Sequence, residues 1–162
     1  MLDFTVEPFD TERWHPRTRC VYEYWCGLKP PHARLPARAA FDAFAVPAAL
    51  GWIWMHDIER VPLRLHCRLF GTRLAAVVGV DITGQYLDQR PLSDPQRPLD
   101  ETRLRKTAID GVPTWARTPP ILRHGDTWSE VESLMLPFAE DGEHPDILLG
   151  VSVYYRFDGS DV

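Results

Sequence analysis

The 162-residue chain lacks most of the features that declare a chemistry at sight. It has three cysteines, Cys20, Cys26 and Cys67, and no CxxC spacing. An odd count without that spacing argues against a disulfide framework or a structural zinc site, so a reducing cytoplasm is the expected setting. Basic residues are in deficit: Lys and Arg number 18 against 23 Asp and Glu, for a net charge of −5. Nucleic-acid-binding domains carry a basic surplus, so no nucleic-acid partner is expected. No stretch approaches the roughly 18 uninterrupted apolar residues of a membrane span. The opening MLDFTVEPFD has acids where a secretory signal has basic residues and then an apolar run, so no signal peptide is expected. GxGxxG and GxxxxGK[ST] are both missing, which removes the phosphate-cradling loops. Ser93, Ser129, Ser133, Ser152 and Ser160 have no GxSxG-like surroundings.

What is present is ordinary globular material, 44% hydrophobic and 25% charged, enough for one sizeable core. Residues 1–15 read as an irregular tail. Residues 16–50 read as a helix and a proline-rich connector, and 51–157 as the main domain. Pro16 opens PRTRCVYEYWCGL, in which Val21, Tyr24, Trp25 and Leu28 recur at helical spacing. Gly27 and Lys29-Pro30-Pro31 end it. The connector KPPHARLPARAAFDAFAVP should run extended, with at most one turn of helix. Thr72 is the expected N-cap of a short helix RLAAVV stopped by Gly79, and Asp81 that of a second, ITGQYL. RPLSDPQRP reads as a loop. LDETRLRKTAIDG reads as a helix turning Leu99, Leu104, Ala108 and Ile109 inward. VPTWARTPPIL, TWSEVESLMLPFA and DILLGVSVYYRF read as strands, the last two joined by a turn at Asp141-Gly142.

GWIWMHDIERVPLRLHCRLFGT reads as two strands with a hairpin centred on Val61. That register pairs His56 with His66, Met55 with Cys67, Trp54 with Arg68 and Ile53 with Leu69. Ile53, Met55, Leu65, Cys67 and Leu69 then form an apolar face. Trp52, Trp54, His56, Arg64, His66 and Arg68 form the other, covered in part by the N-terminal helix. His66-Cys67-Arg68 looks like an activated thiol, but neighbours on a strand face opposite sides. Cys67 is therefore expected to be a buried structural residue and His66 to face outward. His56 and His66 lack a third metal ligand and read as surface histidines, so no metal is expected. Arg64, Arg68, Arg73, Arg103, Arg105 and Lys106 are interspersed with acids and read mostly as a solvated face. The element order is that of an α+β domain with an antiparallel sheet and helices gathered on one face.

Several stretches together resemble a PAS domain, and more narrowly the short stand-alone bacterial PAS-like proteins. They are Tyr24-Trp25, LPARAAFDAFAVPAAL, WIWMHDIE, CRLFGTRLAAVVGVDITGQYL, GVPTW and VESLMLPFAEDGEHPDILLGVSV. The resemblance covers about residues 22–155. It implies a five-stranded antiparallel sheet, short helices across one face and the N-terminal helix on the other. It also implies a small-molecule pocket or a packed core between sheet and helices. Flavin-binding PAS domains carry Cys in an Asn-Cys-Arg run on a short helix, and haem-binding ones a His on the long helix. Here His66-Cys67-Arg68 lies on a strand and LDETRLRKTAID contains no His, so the resemblance names no cofactor.

The function expected is that of a cytoplasmic sensory or regulatory domain. It would act through a signalling protein partner, as a homodimer, with or without a small ligand that gates it by shifting its packing. Pocket candidates are Met55, Cys67, Leu69, Leu74, Tyr86, Leu104, Trp115, Leu134, Leu136 and Val151. Interface candidates are Tyr24, Trp25, Trp52 and Trp54; burial of the tryptophans under the N-terminal helix is an equal alternative, and both hold if that helix docks across a dimer. No catalytic residue is assigned. An enzyme of hydrolase or isomerase type would need a polar dyad in the pocket, for which Asp57, His66 and Glu132 are the candidates. A ligand-free dimerisation module is the third alternative.

Overall fold

The computed structural model describes residues 4–89, 101–120 and 127–162. Its elements are β1 (Thr5–Val6), α1 (Pro16–Leu28), β2 (Ile53–Arg60), β3 (Leu63–Phe70), α2 (Thr72–Val78), α3 (Glu101–Ala108), β4 (Thr114–Thr118), β5 (Trp128–Phe138) and β6 (Ile147–Arg156). The strands form one antiparallel sheet in the order β1-β4-β5-β6-β2-β3. The expected five strands are all there. The sixth, β1, is a two-residue addition to the β4 edge, pairing Thr5 with Trp115 and Val6 with Thr114.

Helix α1 spans the residues its pattern marks. Pro16 occupies the first turn, and the His15 side chain caps it by accepting from the Arg17 amide at 3.0 Å. Thr18, Val21 and Trp25 are its buried residues. Gly27 does not end it; the helix continues to Leu28 and stops before Pro30, whose ring disfavours helix in the residue preceding it. The connector holds three separate 3-10 turns, Arg38–Ala40, Ala43–Ala45 and Pro47–Ala49, rather than at most one. Its apolar residues Leu35, Phe41 and Val46 are buried.

The β2–β3 hairpin forms with a different register. Arg60 pairs with Leu63, so both Val61 and Pro62 lie in the loop and its centre falls between them. His56 therefore faces Cys67 rather than His66, and His66 faces Asp57. A register shift between Met55 and His56 then sets Met55 against Leu69 and Trp54 against Phe70. A one-residue slip carries side chains to the other face. Met55 and Cys67 consequently lie on opposite faces, and Trp54 and His56 share a face with Cys67 and Leu65.

Gly71 precedes α2 and Thr72 is already helical, while Gly79 ends the helix at φ 82, a left-handed conformation that suits glycine. The expected helix after Asp81 is instead a turn held by the Asp81 carboxylate, which accepts from the Thr83 amide and hydroxyl. Only Leu87–Gln89 coils, as a 3-10 turn. Helix α3 buries Leu104 and Ala108 as expected, but also Arg103 and Thr107; Ile109 is exposed. Leu99 and the loop expected at 90–98 lie outside the described residues.

Strand β6 is central, between β5 and β2, and is buried from Ile147 to Tyr155. Leu134, Leu136, Leu149 and Val151 are inaccessible, each burial stabilising the fold by about 1.5–3 kcal/mol. Registers across the sheet sort the side chains. One face carries Ile53, Met55, Leu149, Val151, Leu134, Leu136, Trp115 and Glu132. It lies under α1 and the connector, where Trp14 stacks on Trp115 at 5.5 Å and Phe41 meets Phe138 at 6.0 Å. The other face carries Trp54, His56, Leu148, Gly150, Ser152, Ser133, Met135 and Thr114, and α3 packs against it.

Candidate functional site

Trp54, Gly150, Met135 and Thr114 form a cross-strand row on the α3 face, and Ser152, Ser133 and Ala116 form the next. Strand alternation alone puts two serines and a threonine where an all-apolar core would have valines. Helix α3 answers them with Arg103, which is 6% exposed. Its Nε donates to Thr114 Oγ1 at 3.0 Å and one terminal nitrogen to Ser133 Oγ at 2.7 Å. The other terminal nitrogen donates to the Thr114 and Ser133 carbonyls at 3.3 and 2.7 Å. Thr107 and Thr114 share a hydroxyl hydrogen bond of 2.9 Å. A planar fork suits four acceptors spread over two strands, which a lysine's single nitrogen could not reach together. Farther along, Trp54 Nε1 donates to Ser152 Oγ at 2.9 Å, and the His56 ring meets the Trp54 ring edge-on at 5.1 Å.

A polar band thus crosses the sheet from His56 through Trp54, Ser152 and Ser133 to Thr114 and Arg103. Of the buried polar residues among those described, only Thr18 and Glu132 lie elsewhere.

Glu132 is on the α1 face and inaccessible. Its carboxylate accepts from the His15 amide at 3.1 and 3.3 Å and from the Tyr155 hydroxyl at 3.1 Å. Burial, and then the neighbouring Glu132 charge, raise the Tyr155 phenol well above its ordinary value, so it stays protonated and donates. Arg117 lies over the Tyr155 ring at 4.0 Å, and His15 Nε2 reaches Asp161 at 2.9 Å.

A sheet of this order, with helices on one face and an N-terminal helical cap on the other, is the arrangement that the sequence resemblance implies. The family model described as PAS domain matches residues 13–153. The chain belongs to the PAS domain family. No curated protein and no solved structure matches it. Membership brings a sensory or regulatory role in general terms. Among the described residues of this PAS domain, no helix is long and apolar enough to cross a membrane, and no three His, Cys, Asp or Glu residues converge as metal ligands.

The ten pocket candidates divide between the two faces. Met55, Trp115, Leu134, Leu136 and Val151 point under α1 and the connector. Cys67 lies on the α3 face of the sheet, and Leu104 projects from α3 into the core. Leu74 is buried on α2. Leu69 is 42% exposed. Tyr86 lies outside the sheet's far edge, where its hydroxyl donates to Glu59 at 2.6 Å and Arg64 covers its ring at 3.7 Å. Among the interface candidates, Trp25 and Trp52 are interior: Trp25 Nε1 donates to the Pro137 carbonyl and Arg17 covers Trp52. Tyr24 is half-buried against Phe41. Trp54 lies on the face opposite α1, not beneath that helix.

Of the three residues named for an enzyme, Asp57 and His66 pair with each other on a half-exposed part of the sheet, and Glu132 stands apart from them. Asp57 pairs with Arg68 at 3.0 Å, with His66 at 3.7 Å, on the half-exposed part of the sheet. Glu132 is held by His15 and Tyr155. Sequence reasoning missed the polar band altogether. His56, 3% exposed, is not the surface histidine its sequence setting suggests, and Arg103 is buried rather than part of a solvated face. The signal available was Ser152 within the otherwise apolar run 147–155, and Ser133 directly before the apolar run 134–138.

Proposed function

We propose that this PAS domain is a regulatory module acting through a protein partner, and that a small molecule gates it by entering between α3 and the sheet along the polar band. The observation carrying the proposal is the concentration of buried polar groups on that one face. Burying a polar group costs about 1–3 kcal/mol unless it is paired, and an apolar interior would hold a merely structural helix as well. A ligand that lifts α3 must replace the acceptors that Thr114 and Ser133 offer Arg103. The class that fits is a compact molecule bearing carbonyl or carboxylate oxygens. Such a ligand favours the conformation in which α3 stands away from the sheet, and the population shifts accordingly.

The role proposed is not catalytic: the Asp57–His66 pair is half-exposed and Asp57 is also engaged by Arg68, while Glu132 is held by His15 and Tyr155. The proposed setting is the cytoplasm, consistent with three free cysteines, and the proposed working form is a homodimer. Native mass spectrometry of protein purified from its own host tests both points. A dimer carrying a small molecule that Arg103→Leu loses is the expected result. A ligand-free wild-type protein would overturn the ligand reading, and a monomer at micromolar concentration would overturn the dimer.

A further inference from the structure

The layers on the two faces of the sheet meet at one end of it, and the side chain of Arg34 joins them. Arg34 belongs to the connector, six residues after α1 ends. One of its terminal nitrogens donates to the Asp110 carbonyl at 2.9 Å and to that of Gly111 at 3.4 Å, just past the end of α3. The other donates to the Glu143 carbonyl at 2.6 Å, and Nε to the Glu143 carboxylate at 3.0 Å, in the β5–β6 turn. Gly111, at φ 69, leaves room for the guanidinium; a β-carbon there would stand 2.7 Å from both terminal nitrogens. Alongside, Leu35 donates to the Gly142 carbonyl and Ala139 to the Pro36 carbonyl, binding the same connector segment to the turn. The far part of α3 is fixed to β4 and β5 by Arg103.

We infer that Arg34 is a clasp coupling the position of α3 on one face to the order of the connector, and so of the α1 cap, on the other. When α3 leaves the sheet, Asp110 and Gly111 withdraw from the guanidinium. The connector then keeps its contacts to the turn and loses those to the helix. An event on the α3 face is thereby read as loosening of residues 30–40 on the α1 face. The inference relies on the ligand reading only for what moves α3 in the cell.

Hydrogen exchange of the full chain tests the coupling without any ligand. Leu104→Ala weakens the α3 anchor, and peptides from 147–156 report global opening. The expected result is an increase in exchange across 30–40 at least about tenfold beyond that of 147–156, above the typical range of surface ion-pair effects. Arg34→Gln alone should loosen 30–40, and adding Leu104→Ala to it should bring no further excess. Arg34→Lys should behave like Arg34→Gln, because one ammonium cannot span both carbonyl groups. Exchange at 30–40 that merely follows 147–156 in Leu104→Ala would overturn the inference. So would a further excess brought by Leu104→Ala in either Arg34 variant. An empty protein in mass spectrometry would remove the ligand and leave this coupling standing, so the two failures are distinguishable.

Discussion

The indole of Trp54 lies across the Cα of Gly150, its register neighbour on β6, and a β-carbon at Gly150 would overlap the ring carbons. Glycine is generally poor in a strand interior and often marks close approach of another group. Here that group is a tryptophan that must lie down to reach Ser152. Gly150→Ala should displace the ring, break its hydrogen bond to Ser152 and cost about 1–3 kcal/mol, the usual scale of overpacking. Thermal denaturation with near-ultraviolet circular dichroism reads both effects. Combining it with Trp54→Leu should recover part of the loss; a Gly150→Ala protein as stable as the parent would show that the ring has another resting place.

Arg103→Leu removes the donor to the Ser133 hydroxyl and one of the two partners of the Thr114 hydroxyl in a buried layer. The expected loss is about 1.5–3 kcal/mol, the range for hydrogen bonds to a charged group. Arg103→Lys should recover less than half of it, since the fork is what matches four acceptors. Urea denaturation of the three proteins decides the point. Full recovery by lysine would mean that charge alone anchors α3.

Glu132 and Tyr155 act as a unit under the start of α1. Glu132→Gln and Tyr155→Phe should each destabilise, and the double variant should lose less than their sum, with a coupling of about 0.5–3 kcal/mol. Exchange at residues 14–20 should rise in each single variant. Strict additivity would separate the hydroxyl from the carboxylate.

Alkaline pH should act through two tyrosines. Burial, then a hydrogen bond to Glu7, raises the Tyr22 phenol, and burial beside Glu132 raises that of Tyr155. A raised folded-state value means that the unfolded chain ionises first. Their contribution is complete below pH 10, the ordinary phenol value, and declines as pH rises through the folded values. Ultraviolet titration should show both phenols lagging until the fold gives way. Tyr155→Phe should remove one lagging group, and a wild-type titration with no laggard would refute the assignment.

The elements were more legible than their alignment. Helix α1 follows from Pro16 and the spacing of Val21 and Trp25, because helical periodicity and capping are local. The hairpin was legible as a hairpin, but its register depends on whether the turn centres on Val61 or between Val61 and Pro62. Both readings leave alternating strands, and the bulge beyond Met55 has no local mark. The polar band was illegible for a related reason. Arg103 is one more charge on a charged helix until Ser133, 30 positions on, comes under it. Gly150 looks like a weak point in a strand until Trp54 is laid across it.

The central place of β6 has a consequence for how the chain reaches this shape. The β2–β3 hairpin and the β4–β5 pair share no ladder; each is joined to the other only through β6, which follows both in the chain. Trp54 waits for a partner 98 positions away. Loop closure over such spans is slow compared with forming local contacts. On the ribosome, the two pairs can therefore join into one sheet only after β6 has been synthesised. Completion of the sheet thus waits for the last strand, and until it arrives the facing edges of β2 and β5 have no ladder partner.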